Sequence, residues 1–196
     1  MNSEKRKNTL WRENVILVDG DFAGKVAFDL IVNFERMLER RIPDADIARW
    51  LDCIALDGGI RQGDNEVQAV IVHDRKSSRM ENFTPSAYDG GLDGRAFRDD
   101  LGEFAIGAYA VEDIVTKEDY LCDIITTLLS SGGVKRLMVV VDEETYGMVR
   151  TTLGRYDGDC RITLFAMQPM QGGNYRQEIL GYSLMNALGI RGDELK

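Results

Sequence analysis

Residues Asn14–Asp19, Asn-Val-Ile-Leu-Val-Asp, are apolar at four consecutive positions and then stop in acid. A short β-branched run without alternation predicts a strand buried on both faces, as in the middle of a parallel sheet. Ala27, Leu30, Ile31, Phe34 and Leu38 then recur at spacings of three and four. Asp29, Glu35, Glu39 and Arg40 lie between them, so this segment predicts an amphipathic helix. Pro43 ends it, because proline disfavours helical backbone in the residue before it. Asp44 is placed to cap a second short helix carrying Ile47, Trp50, Leu51 and Ile54 on one face. Gly58-Gly59 and Gly63-Asp64 mark the loop beyond.

The same reading predicts strands at 67–73, 104–111, 137–141 and 161–167. A helix is expected over about 114–131, with Tyr120, Leu121, Ile124, Ile125, Leu128 and Leu129 inward and Gly132-Gly133 closing it. Further helices are expected over 143–153 and 175–188. Residues 74–102 break the pattern. They are rich in Arg, Ser, Asp and Gly, and Met80, Phe83, Tyr88, Leu92, Phe97 and Leu101 recur with weak periodicity. A long irregular segment in a compact domain is usually functional or disordered.

Apolar strands alternating with helices predict a three-layer α/β sandwich around a mainly parallel five-stranded sheet with Rossmann-like topology. Residues 13–196 form one domain with an insertion at about 74–102, and residues 1–12 form a mobile arm pinned at Trp11. Ligands in such sheets bind outside the carboxyl ends of the strands, where strand order reverses. With order 3-2-1-4-5 the reversal lies between the first and fourth strands. Those two strands end in Asp19-Gly20-Asp21 and Asp142-Glu143-Glu144.

Composition narrows the chemistry. The chain has 196 residues and a net charge of −9, which disfavours non-specific attachment to nucleic acid or anionic membrane. A single histidine, His73, argues against a histidine-rich zinc site or a histidine-centred triad. Cys53, Cys122 and Cys160 are far apart, each beside apolar neighbours, and read as buried reduced thiols of a cytoplasmic protein. The polar start is not a signal peptide, and no apolar run approaches the ~18 residues that span a bilayer.

Carboxylates gathered at one sheet edge repel one another unless a cation lies between them. Hard cations such as magnesium or manganese take oxygen ligands, and Gly20 lets the backbone turn so that Asp19 and Asp21 face one point. Asp119 and Asp123, one helical turn apart, are candidates for the same edge. The bland alternative is that these acids cap helices. Arg75, Lys76 and Arg79 follow the second strand and are candidates for holding a phosphate backbone near the acids, with His73 beside them. Gly20–Lys25 imitates a phosphate loop, but it has three residues between its glycines and Val26 where a hydroxyl is needed, so that reading is rejected.

A strand running through Val18-Asp19-Gly20-Asp21 into a helix resembles the opening of NYN domains in the PIN-like nuclease superfamily. Lys117-Glu118-Asp119 is similar to the family's middle motif, a Lys followed by an Asp and an apolar helix. Val141-Asp142-Glu143-Glu144 keeps the acid-x-acid spacing of the late motif but lacks its Ser-Gly. The resemblance runs in order over roughly residues 14–166. It implies a PIN-like topology and a magnesium- or manganese-dependent ribonuclease acting on single-stranded RNA. Metal ligands would come from Asp19, Asp21, Asp119, Asp123, Asp142 and Glu144, with Asp19, Asp142 and Glu144 as the catalytic acids. Two alternatives stay open. One is a catalytically degenerate PIN-like domain that binds RNA or a protein partner, or self-associates. The other is a haloacid-dehalogenase-like phosphatase, which also opens on Asp-x-Asp but usually continues with Gly-Thr.

Overall fold

A computed structural model describes residues 11–196. In chain order the strands are β1 (Asn14–Asp19), β2 (Ala45–Asp46), β3 (Asn65–His73), β4 (Phe83–Thr84), β5 (Ala96–Asp99), β6 (Gly102–Ala110), β7 (Arg136–Val140), β8 (Arg161–Ala166) and β9 (Arg176–Ile179). The α-helices are α1 (Gly20–Leu38), α2 (Ile47–Asp57), α3 (Lys117–Ser130), α4 (Glu143–Leu153) and α5 (Leu180–Ala187). The main sheet has seven strands in the order β5-β6-β3-β1-β7-β8-β9. All its pairings are parallel except β5 with β6. The expected order of the five long strands is therefore present, with the reversal between β1 and β7. The five-stranded expectation is corrected to seven.

Alternate residues of β1 face opposite layers. Ile16 and Val18 join α1, α2 and α5, whereas Val15 and Leu17 join α3 and α4. Every β1 residue is buried, which explains its continuous hydrophobicity. Helices α3 and α4 start at the carboxyl edge, after β6 and β7, and lead back to the edge where β7 and β8 begin; α1 also starts at the carboxyl edge, but the chain passes through β2 and α2 before β3 begins.

Several boundaries differ from the pattern reading. The cap of α2 is Asp46, which accepts the Arg49 amide at 2.9 Å, rather than Asp44. Helix α3 starts at Lys117 behind a Thr116 cap, and Ile114 is left 86% exposed. Residues 176–179, expected to be helical, pair with β8 as an edge strand before α5 begins. This strand, Arg-Gln-Glu-Ile, is polar at three of its four positions and so shows no apolar run against the helix that follows. The three thiols are free but half-buried, not buried.

The insertion is ordered by packing onto the main core. Met80, Phe83, Tyr88 and Leu92 are essentially buried and join the α1/α2 layer. β4 pairs with β2, Tyr88–Leu92 is a wide turn closed by the Leu92 and Asp93 amides donating to the Ala87 and Tyr88 carbonyls, and β5 turns back to pair with β6. The arm expected at residues 1–12 lies outside the described residues as far as position 10. Arg12 is held by an ion pair to Glu103 at 2.7 Å, and Trp11 packs against the α3/α4 layer. No helix among the described residues is long and apolar enough to cross a membrane.

Candidate functional site

Asp19 is the last residue of β1 and the cap of α1, its Oδ1 accepting the Phe22 amide at 3.1 Å. The helix starts at Gly20, so no loop is left to cradle a phosphate. Gly20 is required here: a Cβ would lie 2.6 Å from Tyr88 Oη and 2.8 Å from Ile71 Cγ2. The tight start of α1 turns Asp21 toward the end of β3, where its Oδ2 accepts the Asp74 amide at 2.7 Å. Asp74 follows β3 as Asp19 ends β1, so two adjacent strands deliver acid to one place.

The cation between them is a side chain. Lys117, the first residue of α3, stands with Nζ 3.2 Å from Asp19 Oδ1, 3.3 Å from Asp21 Oδ2 and 3.4 Å from Asp74 Oδ2. These distances exceed the roughly 2.7–2.9 Å of an optimal charge-assisted hydrogen bond. The ammonium is shared among three oxygens instead of committed to one. The side chain of Asp19 is only 2% exposed and that of Asp74 is 59% exposed, so Asp19 depends most on the lysine.

The electrostatics follow from burial. Desolvation raises the Asp19 pKa, and the Lys117 charge and the Phe22 amide offset this only in part. Burial works in the same direction on Asp21. There the Asp74 amide, a Ser77 hydrogen bond and Lys117 together win, and its pKa is lowered. For Lys117, desolvation opposes the charge, but Asp19 and Asp21 outweigh it and the pKa is raised. The lysine is therefore a fixed cation.

Tyr88 closes the inner side of the site. It is 3% exposed, its hydroxyl has no hydrogen-bond partner, and burial followed by the charges of Asp21, Asp19 and Asp74 raises its pKa. His73 stacks on it with ring centroids 3.7 Å apart and planes 5° from parallel. His73 Nδ1 lies 2.9 Å from the Asp74 carbonyl. A carbonyl only accepts, so this contact requires the proton on Nδ1.

The other sequence candidates are placed differently. Asp142 caps α4, accepting the Glu144 amide at 3.0 Å, while Glu144 itself is exposed. Asp119 is exposed and exchanges hydrogen bonds with Thr116 at 2.9 and 3.1 Å, and Asp123 is exposed one turn further along α3. None of the four is a partner of Lys117. The bland reading describes both placed acids: Asp142 is a helix cap, and Asp119 is an exposed first-turn acid behind the Thr116 cap. Arg75 and Lys76 do line an open cleft of about 610 Å³ next to Asp74 and Lys117, but so do Glu112, Asp113 and Glu118, and Arg75 is ion-paired to Asp113. Arg79 is not on that cleft and faces Glu81 at 4.0 Å.

Pattern reading did not select Asp74, Tyr88 or Lys117 as site residues. Asp74 carried the same signal as Asp19, an acid directly after a buried strand. Tyr88 had no signal of its own inside the irregular segment.

Among the described residues no group of three or more His, Cys, Asp and Glu side chains is arranged to hold a metal ion. The donor set near Asp19 is already satisfied by Lys117 and backbone amides, so as folded it does not fit a divalent cation. No curated protein and no solved structure shows significant similarity to the chain. A family model described as a family of unknown function, DUF6621, matches residues 8–195, and the chain belongs to that family.

Proposed function

We propose that this chain is a divergent PIN-like domain of the NYN type in which Lys117 fills the cation position of the carboxyl edge. On this reading it is a catalytically silent binding domain for a protein or RNA partner. The observation that supports it is the ammonium held 3.2–3.4 Å from Asp19, Asp21 and Asp74. A fixed internal cation balances the acids without activating a water, whereas a bound metal would do both. The capping role of Asp142 and the pairing of Asp119 with Thr116 point the same way, since neither acid is a partner of Lys117. The mixed-charge cleft formed by residues 74–77 and 111–118 is the surface next to the cluster that a partner would meet.

The second reading, a magnesium- or manganese-dependent ribonuclease, is favoured by one feature: three carboxylates converge on one point at the switch of strand order. Manganese titration separates the two. The silent domain binds no manganese as wild type and gains binding in Lys117→Ala, where the three carboxylates lose their internal cation. Manganese binding by wild type, with cleavage of single-stranded RNA that disappears in Asp19→Asn, would establish the nuclease and overturn the proposal.

A further inference from the structure

The opposite edge of the sheet carries an unexplained concentration of positive charge. Three neighbouring strands each open on arginine: Arg136 on β7, Arg161 on β8 and Arg176 on β9. Arg136 and Arg161 are register partners, so they sit side by side. Arg61, in the loop after α2, joins them. The four line a cleft of about 470 Å³ together with Asn174 and Tyr175, and no carboxylate is part of its lining.

Like charges directly opposite on neighbouring strands are destabilising. Arg176 is relieved by Glu178 at 3.0 Å, and Arg61 donates to the Leu56 and Ile60 carbonyls at 3.1 and 2.9 Å. Arg136 and Arg161 have no ion-pair partner among the described residues. Arg136 Nε is buried without an acceptor, and among the described residues its side chain makes one hydrogen bond, a long one of 3.5 Å from Nη1 to Asn14 Oδ1. Desolvation, then the charges of Arg161 and Arg61, lower the Arg136 pKa. Arg136 and Arg161 thus stand side by side in a concave site without a counter-charge among the described residues, in a chain of net charge −9.

We infer that this cleft binds a small phosphate-bearing anion, with the phosphate oxygens taken between Arg136 and Arg161 and Arg61 at the rim. Guanidinium forks match phosphate oxygens in bidentate geometry. The volume falls in the range of about 300–1,000 Å³ typical of small-molecule pockets. The acidic remainder of the surface disfavours a long nucleic-acid strand. Tyr175 lines the cleft with its ring for whatever group carries the phosphate, while the Asn174 amide is held by the Leu153 and Tyr156 carbonyls at 3.0 Å each. This site is independent of the Lys117 cluster, which lies at the other ends of the strands.

The test is calorimetry on the full chain with pyrophosphate, a 5′-mononucleotide and a uridine oligonucleotide as probes. Pyrophosphate or the mononucleotide is expected to bind, and Arg161→Gln is expected to weaken that binding by roughly tenfold or more, the loss of a charge-assisted contact. Arg95→Gln, on the insertion, serves as the control and should leave it unchanged. Arg161 is exposed, so its variant is expected to fold. Arg136→Gln provides the second measurement. The inference is overturned if neither small probe binds at low millimolar concentration, if Arg161→Gln and Arg136→Gln bind as wild type does, or if the oligonucleotide binds more tightly than both small probes.

Discussion

Replacing Lys117 by methionine removes the ammonium while keeping most of the apolar stem. Asp19 is then left buried with one donor, the Phe22 amide, and with Asp21 as a like-charged neighbour. Removing one partner of a fully buried ion pair costs about 3–5 kcal/mol. Solvent reaches Asp74 freely and Asp21 in part, so most of the penalty falls on Asp19 and the expected loss is about 2–3 kcal/mol. In a protein of this size that lowers Tm by about 5–10 °C. The sign of the pH dependence is also set. Lys117 lowers the Asp19 pKa in the wild type, so its removal raises that pKa further. A carboxyl with a raised folded pKa loses its contribution as pH rises through that value, so the deficit is largest at neutral pH and shrinks in acid. Asn at position 19 keeps an N-cap acceptor but needs no cation. Asp19→Asn/Lys117→Met should therefore recover most of the loss, with a coupling of about 1.5 kcal/mol or more. Urea unfolding of the four proteins measures it. If Lys117→Met lies within about 0.5 kcal/mol of wild type, or if the two substitutions are additive, the lysine is not the counter-charge of Asp19.

Three further outcomes follow from neighbouring groups. Tyr88→Phe should raise stability by about 1 kcal/mol, because the hydroxyl is buried without a partner; a loss of stability in the same unfolding assay would show that it has one. Gly20→Ala should cost about 1–3 kcal/mol by forcing a methyl group against Tyr88 Oη and Ile71 Cγ2, and Tyr88→Phe should rescue part of that. Burial, then Asp99 and Asp100, push the Asp52 pKa up to about 6 from 3.8, so its contribution is present in acid and lost as pH rises through about 6. Asp52→Asn should therefore gain about 1 kcal/mol at pH 7, after allowing for solvent screening, and nothing near pH 4, as read from Tm against pH.

The parallel part of the sheet was legible because most long strands are buried on both faces and show it as a short apolar run. β1, β3, β7 and β8 read this way, whereas β6 buries Phe104 and Ile106 on one face and leaves Tyr109 and Ala110 exposed. β5 and β9 were not legible, since edge strands bury one side at most and their four residues give a period of two little room. The insertion was misleading for a related reason. Its buried residues point inward from turns and a two-residue strand, so no single period connects Met80, Phe83, Tyr88 and Leu92.

At the site, the acids were legible and their counter-ion was not. Asp19 ends an apolar run, and that position in a parallel sheet fixes where it lies. What neutralises it is decided by a contact with Lys117, 98 positions later in the chain, whose local context is a helix start like any other. Pairs of acids a few residues apart occur at helix N-termini for electrostatic reasons alone, and Asp142–Glu144 and Asp119 illustrate this. A lysine at a helix N-terminus runs against that preference. Lys117 as the first residue of α3 is thus the most informative charge in the region, because the helix dipole alone would select an acid there.

The same dipole reasoning bears on the arginines at the other edge. α2, α3 and α4 end there, shortly before Arg61, Arg136 and Arg161 in the chain. Helix C-termini carry partial negative charge, so cations at this edge are expected in kind. They are not accounted for in amount. Each helix end supplies roughly half an elementary charge, and its effect fades within the last turn. One such end meets Arg61 directly, through the Leu56 carbonyl. Arg136 reaches no helix carbonyl, and its Nε stays buried without an acceptor while a second guanidinium stands on the neighbouring strand. Helix dipoles thus favour acid at the carboxyl ends of the strands and arginine at the other, without fixing the balance at either edge. The acidic edge contains its own cation in Lys117. At the basic edge Glu178 answers Arg176 and Glu13 answers Lys135, whereas Arg136 and Arg161 have no ion-pair partner among the described residues, and that unanswered guanidinium pair is the physical case for a ligand there.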